Sequence, residues 1–452
     1  MRSSSKPAFV LPFRHNDGDQ NAVGAESRDN SHLMRMLKCI GPELLSVDGF
    51  SPNVSPSRTL IFAHIHCLPS YSKLLGYMID ELRFDPSQMF VVPKSYSTIP
   101  ETLHELKEMR VGIANPNGSF QVGHYNKSAA PTLNAACQYA AKLIDNSRTA
   151  ERAILLDDGG SLTEFWHKHQ LHEKIQTVSV QQTTSGLYRE PTNCKKIMKV
   201  NVAGSAAKRW FEAWVIAAGV TRKLGEIRDQ LAGRRIGIVG YGAIGRAIAT
   251  AMKEYTDQDN IRVYDSALNV RAEHFKNTSS LRSLTNKSDF ILGCTGRNCF
   301  ARAEHMLMRV ENPITFISCS SRDVEFLTLL RSYAQPTDKA FGDITLQAGK
   351  AHMVLNGGFP INFDRVREYE TENEISLTRA LTLSGVLQGL GRLSYDGSDP
   401  MMPLGPRAQK LTVETWLRLN SRSYKQFGVS EADFGDRNWW ERESRSNHTA
   451  KP

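Results

Sequence analysis

Apolar residues recur along the chain in two rhythms that alternate, short continuous runs and stretches of helical spacing. The run Leu60–Leu68 reads as a buried strand, and the apolar positions Leu74, Leu75, Met78 and Leu82 then share one helical face. Met89–Val92 is a second strand, Thr132–Ile144 an alanine-rich helix, and Ala153–Leu156 a strand ending on Asp157-Asp158-Gly159-Gly160. One long helix is predicted from Ser205 to Leu231, with apolar residues at 210, 211, 214, 215, 218 and 220. Further strands fall at Ile236–Val239, Ile261–Tyr264, Phe290–Leu292 and Ile314–Ile317, and Leu377–Leu390 reads as a helix. Strands alternating with helices predict an α/β protein with parallel, doubly wound sheets covered on both faces. The last 50 residues are charged and aromatic without a clear period, and residues 1–30 are polar enough to form a mobile extension.

Chemistry enters first at Gly240-Tyr-Gly242-Ala243-Ile244-Gly245. The Gly-x-Gly-x-x-Gly spacing alone is weak, but here an apolar strand leads in and an amphipathic helix leads out. A second strand then ends on Asp265, 20 residues after the third glycine. Gly240 permits the tight turn, Gly242 lets a pyrophosphate approach the backbone, and Gly245 lets helix and strand pack closely. The helix start at Ala243 and Ile244 offers unpaired N–H groups and the positive end of its dipole to phosphate. Asp265 accepts from ribose hydroxyls and repels a 2′-phosphate. The cofactor predicted is NAD rather than NADP, held by a Rossmann domain.

Composition narrows the class without changing this picture. Hydrophobic residues make up 40% and charged residues 23% of the 452, the balance of a soluble globular protein of two or three domains. No run approaches the roughly 18 apolar residues of a membrane span, and no secretory signal is read at the start. A cytoplasmic protein is expected. Seven cysteines (Cys39, Cys67, Cys137, Cys194, Cys294, Cys299 and Cys319) are scattered without a Cys-x-x-Cys pair, which argues for reduced thiols and against a zinc site. His167, His169 and His172 lack the spacing of a helical ligand pair, so no metal is expected. The net charge of +9 is spread along the chain, and no nucleic-acid or membrane partner is expected.

Several strings flank the glycine turn in a fixed order. Leu155-Leu156-Asp157-Asp158-Gly159-Gly160, Gln181-Gln182-Thr183-Thr184-Ser185-Gly186 and Asn201-Val202 to Lys208 precede it. Cys294-Thr295-Gly296, Asp323-Val324-Glu325 and Gly357-Gly358-Phe359-Pro360-Ile361-Asn362 follow it. This set resembles S-adenosylhomocysteine hydrolase over about residues 55–365. The resemblance implies an enzyme that uses bound NAD to oxidise a ribose hydroxyl, followed by elimination and hydration. It makes Lys208 the amine beside the reacting hydroxyl, Asp158 the carbon-acid base and His66 a group near the leaving atom. Thr183, Thr184 and Ser185 become contacts of the nicotinamide ribose, with Thr295 and Asn362 also on the cofactor.

Departures matter as much. Gln182 replaces a substrate-binding glutamate, and Glu212-Ala213 replaces an Asp-Asn pair. Cys319-Ser320-Ser321-Arg322 occupies the place of a second histidine, and the adenine-framing and C-terminal motifs are missing. Because lost hydrogen-bonding groups cost discrimination on the order of 10⁴, S-adenosylhomocysteine itself is not the expected substrate. Lys208, Asp158, His66 and Glu212 are the catalytic candidates, and Gln182 is the substrate-binding candidate. The expected function is NAD-dependent oxidation of a hydroxyl on a small nucleoside- or sugar-like molecule, by a homo-oligomer. A catalytically inactive NAD-binding regulator or scaffold is the alternative. His66 also fits a core histidine, and Asp158 also fits a turn or helix-cap carboxylate. The expected organisation is a substrate-type α/β domain (31–204 with 366–400), an NAD-binding Rossmann domain (205–365) and an atypical segment (401–452).

Overall fold

A computed structural model describes residues 31–115, 121–147, 149–188, 196–267, 272–320, 322–335, 341–391 and 401–445. The extension expected over residues 1–30 and Cys194 lie outside them. Two seven-stranded sheets organise the chain. The first contains β1 (Thr59–Ile65), β2 (Met89–Pro93), β3 (Gly112–Ile113), β4 (Arg152–Asp157), β5 (Gln176–Gln181) and β6 (Met198–Asn201). The second contains β7 (Ile236–Val239), β8 (Ile261–Tyr264), β9 (Lys276–Asn277), β10 (Phe290–Gly293), β11 (Thr315–Ser318), β12 (Ile344–Ala348) and β13 (Lys350–Val354). The chain then returns to the first sheet through β14 (Met401–Pro403).

The orders are β14-β6-β5-β4-β1-β2-β3 and β12-β13-β11-β10-β7-β8-β9. Every pairing is parallel except the β12–β13 hairpin. In each sheet the chain steps outward one way and then jumps back beside its first strand. The two reversals, between β1 and β4 and between β7 and β10, are switch points, where α/β sheets open a crevice at their carboxyl ends. All seven residues of β1 and all six of β4 are buried, as strands covered on both faces require.

Helix Glu372–Leu390 is almost wholly buried, so its apolar residues form no stripe. Its start is set by a capping box of Thr371 and Glu374, five residues before the apolar run that marks it in the sequence. Its C-terminal carbonyls are capped from the neighbouring strand: Arg152 Nη1 donates to Gly389 O, Leu390 O and Gly391 O at 2.7, 2.9 and 3.1 Å. The tail also finds its place here. Helices Pro406–Leu419 and Arg437–Arg445 bring Trp416 and Trp440 into the core of the first sheet.

One prediction needs correction. The helix expected from 205 to 231 is broken: a π-turn at Lys208–Glu212 precedes helix Ala213–Leu224, a 3₁₀ turn Gly225–Ile227 and a last turn Arg228–Leu231. Apolar residues at 210, 211, 214, 215 and 218 keep a four-residue spacing across the break, so the sequence does not mark it. Such turns are frequent at functional sites. No helix among the described residues is long and apolar enough to cross a membrane.

Candidate functional site

The cofactor end is built on the β7 turn. Gly240 sits at φ 89°, a left-handed conformation that a side chain would strain. A Cβ at Gly245 would lie 2.0 Å from Gly240 O, so the helix beginning at Ala243 can seat on the turn only without one. A Cβ at Gly242 would meet nothing within 4 Å, and no side chain caps the helix there. The N–H groups of the first turn, at Ala243 and Ile244, thus face open space beside a bare backbone, a cradle that fits a pyrophosphate. Asp265 closes the turn from β8: Oδ2 accepts the Tyr241 N–H at 2.7 Å and Oδ1 the Ala267 N–H at 2.9 Å.

The adjacent strand end carries Cys294-Thr295-Gly296. Its shape is held by Glu325, a fully buried carboxylate that accepts Thr295 N at 2.8 Å, Thr295 Oγ1 at 2.7 Å and Gly296 N at 3.0 Å, together with the Ser320 hydroxyl. Burial pushes its carboxyl up from the ordinary range, and these four donors oppose that shift. Thr295 therefore spends its hydroxyl inside the protein. The Cys294 thiol is pushed well above its ordinary value, first by its hydrogen bond with Cys319 and then by burial, which suits packing rather than nucleophilic work. Asn362 donates to Glu370 Oε1 at 2.7 Å. Burial, with the Glu368 charge nearby, pushes Glu370 up to about 7.

At the other end, residues beyond the strands of the first sheet converge. His66 follows β1, Lys94 follows β2, Asp158 follows β4 and Gln182 follows β5. Asp158 Oδ2 lies 2.9 Å from His66 Nε2, and Oδ1 lies 3.2 Å from Lys94 Nζ. His66 Nδ1 lies 2.6 Å from Ser97 Oγ. The Asp158 carboxyl is held well below the usual carboxylate range; burial alone would raise it, but Lys94 and His66 outweigh that cost. Burial and the Lys94 charge push His66 down to about 4, so the ring is neutral near pH 7.

The π-turn places Lys208 and Glu212 side by side, with Nζ to Oε2 at 2.9 Å, and Lys208 also donates to Gln182 O at 2.7 Å. The Gln182 side-chain oxygen accepts from the Tyr71 hydroxyl and from Thr382 Oγ1, the latter at 3.1 Å. Thr183 Oγ1 and Ser185 Oγ are 3.1 Å apart, and Thr184 opens the short helix Thr184–Tyr188. Asp158 and His66 thus touch, as do Lys208 and Glu212. Tyr71 feels the charges of both Asp158 and Glu212.

The two sheets face each other across this cluster. Residues Phe359–Phe363 are pinned to the end of β11 by Ile361 N donating to Ser318 O at 2.9 Å. They reach the first sheet: Phe363 stacks on His66 with ring centroids 4.1 Å apart, and Phe359 stacks on Tyr96 at 4.5 Å. Tyr125 N donates to Asp323 Oδ2 at 3.2 Å on the same seam. Lys94, Tyr71 and Glu325 were not singled out from sequence as site residues. Lys94 had a legible signal, a lysine immediately after an apolar strand, where α/β sites form. The histidines at 167 and 172 pack ring to ring at 4.9 Å, and no group of three metal-capable side chains occurs among the described residues.

Comparison with known proteins bears on the cofactor end. Residues 203–307 match the family model described as D-isomer specific 2-hydroxyacid dehydrogenase, NAD binding domain. Two uncharacterized proteins of Mycobacterium tuberculosis, from strains CDC 1551 and H37Rv, are each 28% identical to this chain over 367 residues, 80% of this chain and 70% of theirs. Among solved structures, a 2-hydroxyacid dehydrogenase from Ketogulonicigenium vulgare aligns over 59% of this chain and 73% of its own, at 13% identity and a TM-score of 0.30. An NAD-dependent formate dehydrogenase from Staphylococcus aureus aligns over 58% and 73%, at 12% identity and a TM-score of 0.31. The chain carries an NAD-binding Rossmann domain similar to that of 2-hydroxyacid dehydrogenases.

The family match overturns the resemblance to S-adenosylhomocysteine hydrolase and leaves the hydrolase and nucleoside assignments without support. The strings behind that resemblance lie largely at strand ends and in the glycine turn. Those places are dictated by binding a dinucleotide at a switch point, whatever the substrate.

Proposed function

We propose that this chain is an NAD-dependent oxidoreductase that oxidises a hydroxyl of a small polar molecule in the crevice between its two sheets. One observation carries the reading. The segment Phe359–Phe363, pinned to β11 of the sheet that carries the glycine turn, lays the Phe363 ring on His66 beside Asp158 at the switch point of the first sheet. Gly242 and the N–H groups of Ala243 and Ile244 would hold the pyrophosphate of a dinucleotide, and NAD, when bound, would supply the two-electron oxidant. Lys208, steadied by Glu212 and the Gln182 carbonyl, retains a third N–H to offer a substrate oxygen. Asp158, engaged on both oxygens, acts as an anchor rather than as a carbon-acid base. Gln182 contributes to the substrate pocket, and Thr183 and Ser185 offer hydroxyls beside it. A 2-hydroxy acid is the first class to test, given the domain type that residues 203–307 match.

The test is direct. Native mass spectrometry reads bound dinucleotide, and a panel of hydroxy acids and polyols is screened for the near-ultraviolet absorbance of reduced nicotinamide. Reduction by one class, diminished in Lys208→Ala with the dinucleotide retained, is expected. The second reading, an NAD-binding regulator without turnover, draws on the internal partners of His66 and Asp158, which leave little polar capacity for substrate. It wins if dinucleotide is bound and no hydroxyl compound reduces it.

A further inference from the structure

Counting protons around His66 separates the groups that can exchange one from those that cannot. The Lys94 carbonyl already accepts Ser97 N at 3.0 Å and Thr98 Oγ1 at 2.7 Å. The single Ser97 hydroxyl proton therefore goes to His66 Nδ1, at 2.6 Å, rather than to that carbonyl 3.2 Å away. His66 then carries its own proton on Nε2 and gives it to Asp158 Oδ2. Both ring nitrogens have a partner, and Asp158 accepts from His66 through Oδ2 while Oδ1, 3.2 Å from Lys94 Nζ, is ion-paired without accepting a hydrogen bond. Lys94 keeps spare capacity in this cluster: an ammonium has three N–H donors, and beside its Nζ lie only the Asp158 charge at 3.2 Å and His66 Nε2 at 3.5 Å.

A glycine lies beside it. Gly159 adopts φ 107°, and a Cβ there would sit 3.9 Å from both Lys94 Nζ and Ser185 Oγ. A side chain at this position would press against both the amine and the hydroxyl, and glycine adds no atom between them. Titratable groups face Lys94 from both sheets: Asp158, Asp157, His66 and His64 from the first and Arg322 from the second. Burial, outweighing the nearby carboxylates, pulls the amine below the ordinary lysine range, which brings its neutral form within reach.

Resting on the oxidoreductase reading above, we propose that Lys94, rather than His66, is the proton-exchanging group of this site, held in place by the Ser97–His66–Asp158 chain. The substrate O–H bond breaks and its proton passes to the neutral Nζ, giving an ammonium. The adjacent C–H bond breaks and its hydrogen leaves with both electrons to bound NAD⁺. A carbonyl remains, so the substrate loses two electrons and the dinucleotide gains them. His66 and Ser97 are positioning residues.

Two measurements on the NAD-loaded protein test this. Heteronuclear NMR of the lysine side chains should place the Lys94 titration below those of the surface lysines, and lower still in Asp158→Asn. With the hydroxyl compound that reduces bound NAD, Lys94→Met and Lys94→Arg should both slow reduction by about 100-fold or more, the scale of lost acid–base catalysis, while native mass spectrometry shows the dinucleotide retained. Arginine keeps the charge but cannot release its proton, so near-normal reduction in Lys94→Arg overturns the assignment. A Lys94 titration indistinguishable from the surface lysines, with reduction intact in the parent protein, overturns it too. If no hydroxyl compound reduces bound NAD, the oxidoreductase reading itself fails.

Discussion

The glycine turn after β7 and the polar cluster after β1 and β4 occupy equivalent places in two sheets of the same build, yet they are made by opposite means. The turn works by omission: Gly240, Gly242 and Gly245 matter for the atoms they lack, and the groups offered to a ligand are backbone N–H donors. The cluster works by commitment. His66, Asp158 and Lys94 are buried side chains, two of them charged, that tolerate burial only because they satisfy one another. A site made of backbone is robust to its neighbours and fragile to any added atom. A site made of paired charges has the reverse sensitivities.

Gly245→Val breaks the comparison hardest on the first side. Its Cβ would start 2.0 Å from Gly240 O, a backbone atom that cannot step aside. Dinucleotide binding, read by calorimetry, should fall by more than about 100-fold, and overpacking should cost roughly 1–3 kcal/mol in urea unfolding. Asp158→Ala should do the opposite. Lys94 is left buried without its carboxylate, and stability should drop by about 3–5 kcal/mol while the glycine turn still binds the dinucleotide. If this variant lost dinucleotide binding as completely as Gly245→Val, the two regions would not be separable.

Acid should act first on the cluster. His66 falls from an ordinary 6.5 to about 4 in the folded protein, so the unfolded chain binds the proton first. Stability is therefore lost as pH falls from about 6.5 towards 4, by on the order of 3 kcal/mol from this group, with a further loss below that window as Asp158, held low when folded, protonates. His64, lowered to about 3, adds in the same direction. Glu370 opposes them: raised from 4.5 to about 7, it contributes stability at low pH that is lost as pH rises through that range. Urea unfolding from pH 4 to 8 should show the acid-side slope reduced in His66→Gln and the alkaline-side slope reduced in Glu370→Gln. Unchanged slopes in both would remove the electrostatic account. The mildest expectation concerns Glu325→Gln, which keeps shape but loses charge beneath Thr295 and Gly296. About 1–2 kcal/mol of stability should go, and, as the loop that faces the dinucleotide loosens, about tenfold in affinity, which corresponds to about 1.4 kcal/mol of binding energy.

Legibility followed the same divide. The glycine spacing, its flanking strand and helix, and Asp265 were all readable, because a local backbone conformation has a local residue signature. The Ser205–Leu231 stretch reads as one helix because a π-turn leaves no compositional mark, although the i,i+4 spacing of Lys208 and Glu212 on that helix already set them side by side. Helix Glu372–Leu390 was recognisable as apolar, but its true start lay in the Thr371–Glu374 box outside that run. The strings that suggested a hydrolase were real features of strand ends, read at too fine a level.

By itself the sequence determined the alternation of strand and helix, the Rossmann turn and the dinucleotide it takes, since each rests on interactions within about thirty residues, the reach of one βαβ unit. Only the tertiary structure decided that Lys94 joins His66 and Asp158, that Arg152 caps a helix more than two hundred positions away, and that the tail's tryptophans complete the first core. Charges in a low-dielectric interior interact with whatever folding brings beside them, and that proximity is written in no single segment of the chain.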